Sequence, residues 1–167
     1  MDLRPAGPAD AALIAELHAA SWRRHYRGAF ADFYLDGDVI TERRAVWSSR
    51  LAAPGAGLTL LAEAGAELIG FIHIEADHDE RWGSFIDNLH VRHDRQRSGV
   101  GRALMAAAAE AVEHRARYLW VLEQNVAAQG FYRALGGRCV EKAVVSPPGG
   151  VAGRLHGTPH KLRFVWP

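Results

Sequence analysis

The residues best equipped for chemistry lie between Ile86 and Leu104, in the run IDNLHVRHDRQRSGVGRAL. Ile86, Leu89 and Val91 belong to a short strand-like stretch. Arg92 to Ser98 is polar and carries three arginines, and Gly99 and Gly101 then open an alanine-rich helical pattern. A helix start leaves unpaired backbone N–H groups and carries partial positive charge. Glycines let a phosphate approach the backbone closely, and arginines add charge-assisted bonds to its oxygens. Strand, basic glycine loop and helix in that order therefore point to a phosphate-bearing ligand.

Three phosphate motifs compete for this stretch. The P-loop string G-x-x-x-x-G-K-[ST] is absent from the chain. A dinucleotide-binding protein is an alternative, because Gly99-Val100-Gly101 begins a G-x-G-x-x-G fingerprint and Glu123 follows at about the ribose-binding distance of 20 residues. Against it, Leu104 stands where the third glycine belongs, and no further strand–helix pairs follow the unit. The third motif fits. Gln96-Arg97-Ser98-Gly99-Val100-Gly101 resembles the Q/R-x-x-G-x-G/A motif of the GNAT superfamily of N-acyltransferases, which bind acetyl-CoA. A second block, Asn125 to Gly136, is similar to that family's N-x-x-A-x-x-F-Y-x-x-x-G segment, in the family's order and separation.

The resemblance implies a mixed α/β, GNAT-type acyltransferase fold: a central, largely antiparallel twisted sheet with helices on both faces. It implies acetyl-CoA as cofactor, held by backbone and side chains of Gln96, Arg97, Ser98, Gly99, Val100, Gly101 and Arg102. Leu89, His90 and Val91 on the preceding strand would face the pantetheine arm. Asn125 would contact the same arm, or simply cap its helix. Tyr132 falls where the family places its general acid. Some relatives carry a glutamate base on the glycine-motif strand, but Ser84 or Phe85 stands there. The nearest acid, Asp87, is the first choice for the base, with a water-mediated route as its strongest rival and Glu75 across the hairpin, Glu123 and His90 behind it. One departure from the pattern is Gly137, where the family usually has an aromatic residue. The reaction implied is acetyl transfer to a primary amine of a small molecule or peptide by direct attack. A non-catalytic acyl-CoA sensor is the alternative of another class.

The elements that must position these residues are readable in order. Residues 1–5 suit a first strand. Pro8, Ala9 and Asp10 suit a helix start, and Leu13, Ile14, Leu17 and Ala20 form an apolar stripe behind it. The aromatic stretch from Trp22 to Leu35 is either core or one wall of an acceptor site. A helix over 39–53 precedes a hairpin of strands at 57–64 and 68–76, then a charged turn at 77–81 and a strand at 83–91. Strict alternation on that last strand would set Asp87, Leu89 and Val91 on one face, with Asn88 and His90 on the other. After the glycine loop come a helix, a buried strand at 118–122, a helix capped by Asn125 and ended by Gly136, and strands at 138–145 and 162–166.

Composition bounds the rest. A chain of 167 residues, 49% hydrophobic, can bury one good core, so a single domain spanning 1–167 is expected. Net charge is +1, which gives no global pull toward nucleic acid or membrane. No apolar run has the length of a membrane span. The start MDLRPAGPAD lacks the apolar core of a signal peptide, and the single cysteine, Cys139, suits a reducing, cytoplasmic setting. A homodimer is compatible with all of this. His90 and His93 form an H-x-x-H pair on a strand-to-loop segment, a poor metal geometry, so no metal is expected.

Overall fold

A computed structural model describes residues 1–167. Seven strands form one sheet in the order β1-β2-β3-β4-β5-β7-β6. They are β1 (Asp2–Pro5), β2 (Gly57–Ala64), β3 (Glu67–Asp79), β4 (Gly83–Val91), β5 (Arg117–Leu122), β6 (Arg138–Val144) and β7 (His160–Trp166). Every neighbouring pair is antiparallel except β4 and β5. The helices are α1 (Ala11–His25), α2 (Asp32–Leu35), α3 (Val39–Ala52), α4 (Val100–Ala111) and α5 (Val126–Ala134).

The two faces are covered by different helices. Val100, Leu104, Met105, Ala108 and Val112 of the α4 segment pack on Ile72, Ile74, Ile86 and Leu119 of the sheet. On the opposite face Ile14 and Ala15 of α1 and Trp47 and Leu51 of α3 pack on Leu61 and Phe71. Each large apolar side chain so buried contributes about 1.5–3 kcal/mol. A third cluster joins the end of α1 and α2 to Leu122 and Val145.

The stripe of α1 is rotated from its expected place. Ala11, Ile14, Ala15, His18 and Ala19 are buried, whereas Leu13 is 57% exposed. His18 counts as polar in a sequence pattern, yet it belongs to the core here because its Nδ1 accepts a hydrogen bond from the Trp47 indole at 2.9 Å. β3 likewise runs on through Asp79, across the segment expected to be a charged turn.

Gly137 now has a reason. A Cβ there would lie 2.7 Å from the Trp166 ring and 2.9 Å from the Tyr132 carbonyl oxygen. Trp166 is held beside it by an indole bond to the Leu135 carbonyl at 2.9 Å. Gly137→Ala should therefore lower stability by about 1–3 kcal/mol, read as a fall in the thermal unfolding midpoint. An unchanged midpoint would show that Trp166 is free to move.

Candidate active site

The site starts from a failure of strand pairing. β4 and β5 are hydrogen-bonded partners only over Ser84–Ile86 and Arg117–Leu119. Beyond that the strands part, and a cavity of about 790 Å³ opens between Asp87–Val91 on one side and Trp120–Leu122 on the other. Gly99, Gly101 and Arg102 line it from the start of α4, Asn125, Phe131 and Tyr132 from α5 and its N-cap, and Ser21, His25 and Tyr26 from α1 and its C-cap.

At its α4 end the backbone turns sharply and leaves N–H groups unpaired. Gly99 precedes the helix with φ +87°, and Arg97, a non-glycine residue, is also left-handed at φ +60°. Such alternation turns successive N–H groups to one side of a loop, and a left-handed non-glycine residue carries a backbone cost of about 1–3 kcal/mol. The N–H groups of Arg97 through Arg102 have no acceptor within the protein. The Ser98 hydroxyl is tied back to the Arg95 carbonyl, which fixes the turn. A Cβ at Gly101 would come within 3.2 Å of Phe131, so the glycine also lets α4 and α5 approach closely. Gly130 has open space beside it, and nothing in the protein explains a glycine there.

Asn125 does cap α5: its side chain accepts from the Ala128 N–H at 3.2 Å, and the residue also lines the cavity. Tyr132 lies two turns along this helix, 8% exposed, and its hydroxyl has no partner in the protein. Burial, with the Tyr26 phenol close by, raises its pKa above the ordinary tyrosine value. Tyr26 itself is pushed up to about 12 by burial and by the Asp87 carboxylate.

Asp87 departs from the alternation expected of β4. His73 pairs with Asn88 and Ile74 with Ile86, so Asp87 is the extra residue of a β-bulge. The bulge switches parity. Ile86 joins Leu89 and Val91 on the α4 face, while Asp87 turns with Asn88 and His90 toward α1 and α3. Its Oδ2 meets both Asn88 Nδ2 at 2.7 Å and Arg50 of α3 at 2.8 Å. Oδ1 is left without a partner. Glu75 pairs with Phe85 rather than facing Asp87, and contacts His73 and His78. Glu123 is bound to Lys142 at 2.7 Å, which lowers its pKa. Asp87 is the carboxylate on the cavity wall.

His90 also lines the cavity, with Nδ1 at 2.7 Å from the Ser21 hydroxyl. Burial, with His25 and the Arg43 guanidinium nearby, pushes its imidazole down to about 3, so it is neutral at physiological pH. Ser21 was not singled out from sequence. The available signal was the spacing of His18, Ser21 and His25 along one face of α1.

A family model described as the acetyltransferase (GNAT) family matches residues 15–136. Two relatives named as N-acetyltransferases are similar in sequence. The uncharacterized N-acetyltransferase YuaI of Bacillus subtilis is 30% identical over 117 residues, 67% of this chain and 66% of the relative. The probable N-acetyltransferase Rv2775 of Mycobacterium tuberculosis is 30% identical over 134 residues, 78% of this chain and 75% of the relative. Solved structures share the fold. The PaiA N-acetyltransferase of Thermoplasma acidophilum, in complex with coenzyme A, aligns at TM-score 0.76 and 18% identity, covering 97% of this chain and 96% of that one. The structure of yncA from Salmonella typhimurium, with its cofactor acetyl-CoA, aligns at TM-score 0.68 and 19% identity, covering 99% and 92%.

Proposed function

The chain belongs to the acetyltransferase (GNAT) family, and from that premise we propose that it moves an acetyl group from acetyl-CoA to a primary amine by direct attack. The observation that carries the reading is the row of free N–H groups from Arg97 to Arg102 at the mouth of the β4–β5 gap. These groups, with Gln96 and the charge of Arg97 and Arg102, suit the pyrophosphate. The walls offered by Leu89, His90, Val91 and Asn125 suit the pantetheine arm. One sheet takes strands from both ends of the sequence, which supports a single domain over 1–167.

Acetyl-CoA supplies the thioester that the amine attacks. A backbone N–H near Val91 holds the carbonyl oxygen on which negative charge develops, and such donors contribute about 2.7–4 kcal/mol each in comparable sites. Tyr132 donates a hydrogen bond to the departing sulfur. Ordinary values already make full proton transfer from a phenol to a thiolate uphill by about 2 kcal/mol. Burial of Tyr132 raises that cost, so the hydroxyl acts as a donor rather than as a full acid.

Asp87 takes the proton of the attacking nitrogen on its free Oδ1, while Arg50 and Asn88 fix Oδ2. Asp87→Asn should lower kcat/KM, expressed per unprotonated amine, by about 10²-fold or more. An unchanged value would assign the proton to another group.

No helix is long and apolar enough to cross a membrane. We place the protein in the cytoplasm, where a free, exposed thiol such as Cys139 stays reduced. A homodimer would have the exposed edge strand β6 available to it. Calorimetry with CoA and with NAD tests the cofactor assignment: CoA should bind and NAD should not. NAD binding, or no CoA binding, overturns it.

A further inference from the structure

The α1 side of the cavity holds more chemistry than acetyl transfer to a simple amine requires. Ser21 sits inside α1, and the contact its hydroxyl makes in the protein is with His90 Nδ1. A serine hydroxyl has one hydrogen to give, and a neutral imidazole has one donor and one acceptor nitrogen. Were His90 the donor at Nδ1, the Ser21 hydrogen would have no protein acceptor. The satisfied arrangement has Ser21 donating, which puts the His90 proton on Nε2. Nε2 has no protein partner, and it is not among the sealed, unpartnered atoms of the interior. His90 therefore presents an N–H to the cavity.

The surroundings keep that ring neutral and fixed. His18, whose ring centroid is 4.5 Å from that of His90, accepts the Trp47 indole at Nδ1 and so cannot add a proton there. His25 of α1 and Arg43 of α3 add positive potential from the other packed elements. Asp87, three residues back on β4, lines the same cavity, and its Oδ1 has no partner in the protein.

One acceptor and one donor thus line the same cavity, three residues apart on β4. A primary amine satisfies Asp87 but offers nothing to an N–H donor. An amine with a carbonyl oxygen on the adjacent carbon satisfies both. We propose that the acceptor is an α-amino carbonyl compound, an amino acid amide or a peptide N-terminus, with His90 Nε2–H reading its carbonyl oxygen and Ser21 acting as the residue that positions His90. The inference rests on the transferase reading and names the substrate class of the same site. A site built to hydrogen-bond a substrate group rejects the analogue lacking it, because its own buried group is then left unmet.

The test compares phenylalaninamide with phenethylamine, which lacks the carbonyl group. Release of CoA thiol is followed in each case, and kcat/KM is expressed per unprotonated amine to remove the difference in amine basicity. The amide should be favoured by about tenfold or more. Ser21→Ala should lower kcat/KM for the amide about tenfold more than for phenethylamine, and His90→Phe should do the same. Ser21→Thr, which keeps the hydroxyl, should restore the preference. Equal use of the two amines by the unmodified protein, or a preference that survives Ser21→Ala, overturns the substrate class and leaves acetyl transfer standing. Thiol release with neither amine overturns both.

Discussion

Tyr132→Phe is expected to lower kcat by about 10²-fold or more, in the range that loss of a positioned proton donor costs. CoA affinity should change by only about twofold to threefold, since the hydroxyl makes no bond in the protein and the ring keeps its packing on Phe164 and Trp166. The substitution removes one oxygen from a buried, well-packed ring. Its effect on kcat therefore separates a donor aimed at the leaving sulfur from an aromatic residue that merely fills the core. Paired measurement of kcat at saturating acetyl-CoA and of CoA affinity by calorimetry decides between them. An unchanged kcat removes Tyr132 from the chemistry.

Gly99→Glu should weaken CoA binding by about 10²-fold or more. Two effects add. At φ +87° a side chain costs about 1–2 kcal/mol, although there is open space beside the Cα. A carboxylate at this helix start would also meet the pyrophosphate with like charge, where about 4 kcal/mol is the Coulomb scale at 4 Å near a protein surface. Gly99→Ala carries the backbone cost without the charge, so it should fall between the native protein and Gly99→Glu. If both variants bind CoA as the native protein does, the pyrophosphate is not at this loop.

The glycine loop and the helix start at Asn125 were legible because their physics is local. Gly99, Gly101, the arginines and the N-cap at Asn125 are properties of a few consecutive residues, and at Gly99 and Asn125 the backbone adopts the geometry that those residues favour. The order of strands and helices was legible for the same reason. Asp87 was visible as an acid but not as a bulge residue. Alternation carries no mark for one inserted residue, and the extra twist arises only when β3 pairs with β4. Leu13 looked like core because it is apolar and helically spaced from Leu17, and the Trp47 indole that makes His18 an interior residue lies 29 positions away. Ser21 was silent, and Gly137 was visible but unexplained, for a similar reason. Each is explained by one distant partner, His90 or Trp166, which nothing in the neighbouring sequence announces.

The most direct test of acetyl transfer is the rate of CoA thiol release from acetyl-CoA as a function of added amine. The rate should rise with amine concentration and saturate, and the acetylated amine should appear in step with the thiol. A release rate that stays at its amine-free value across a panel of amino acid amides, peptides and alkylamines, while CoA still binds, would contradict catalysis and leave a protein that senses acyl-CoA without turning it over.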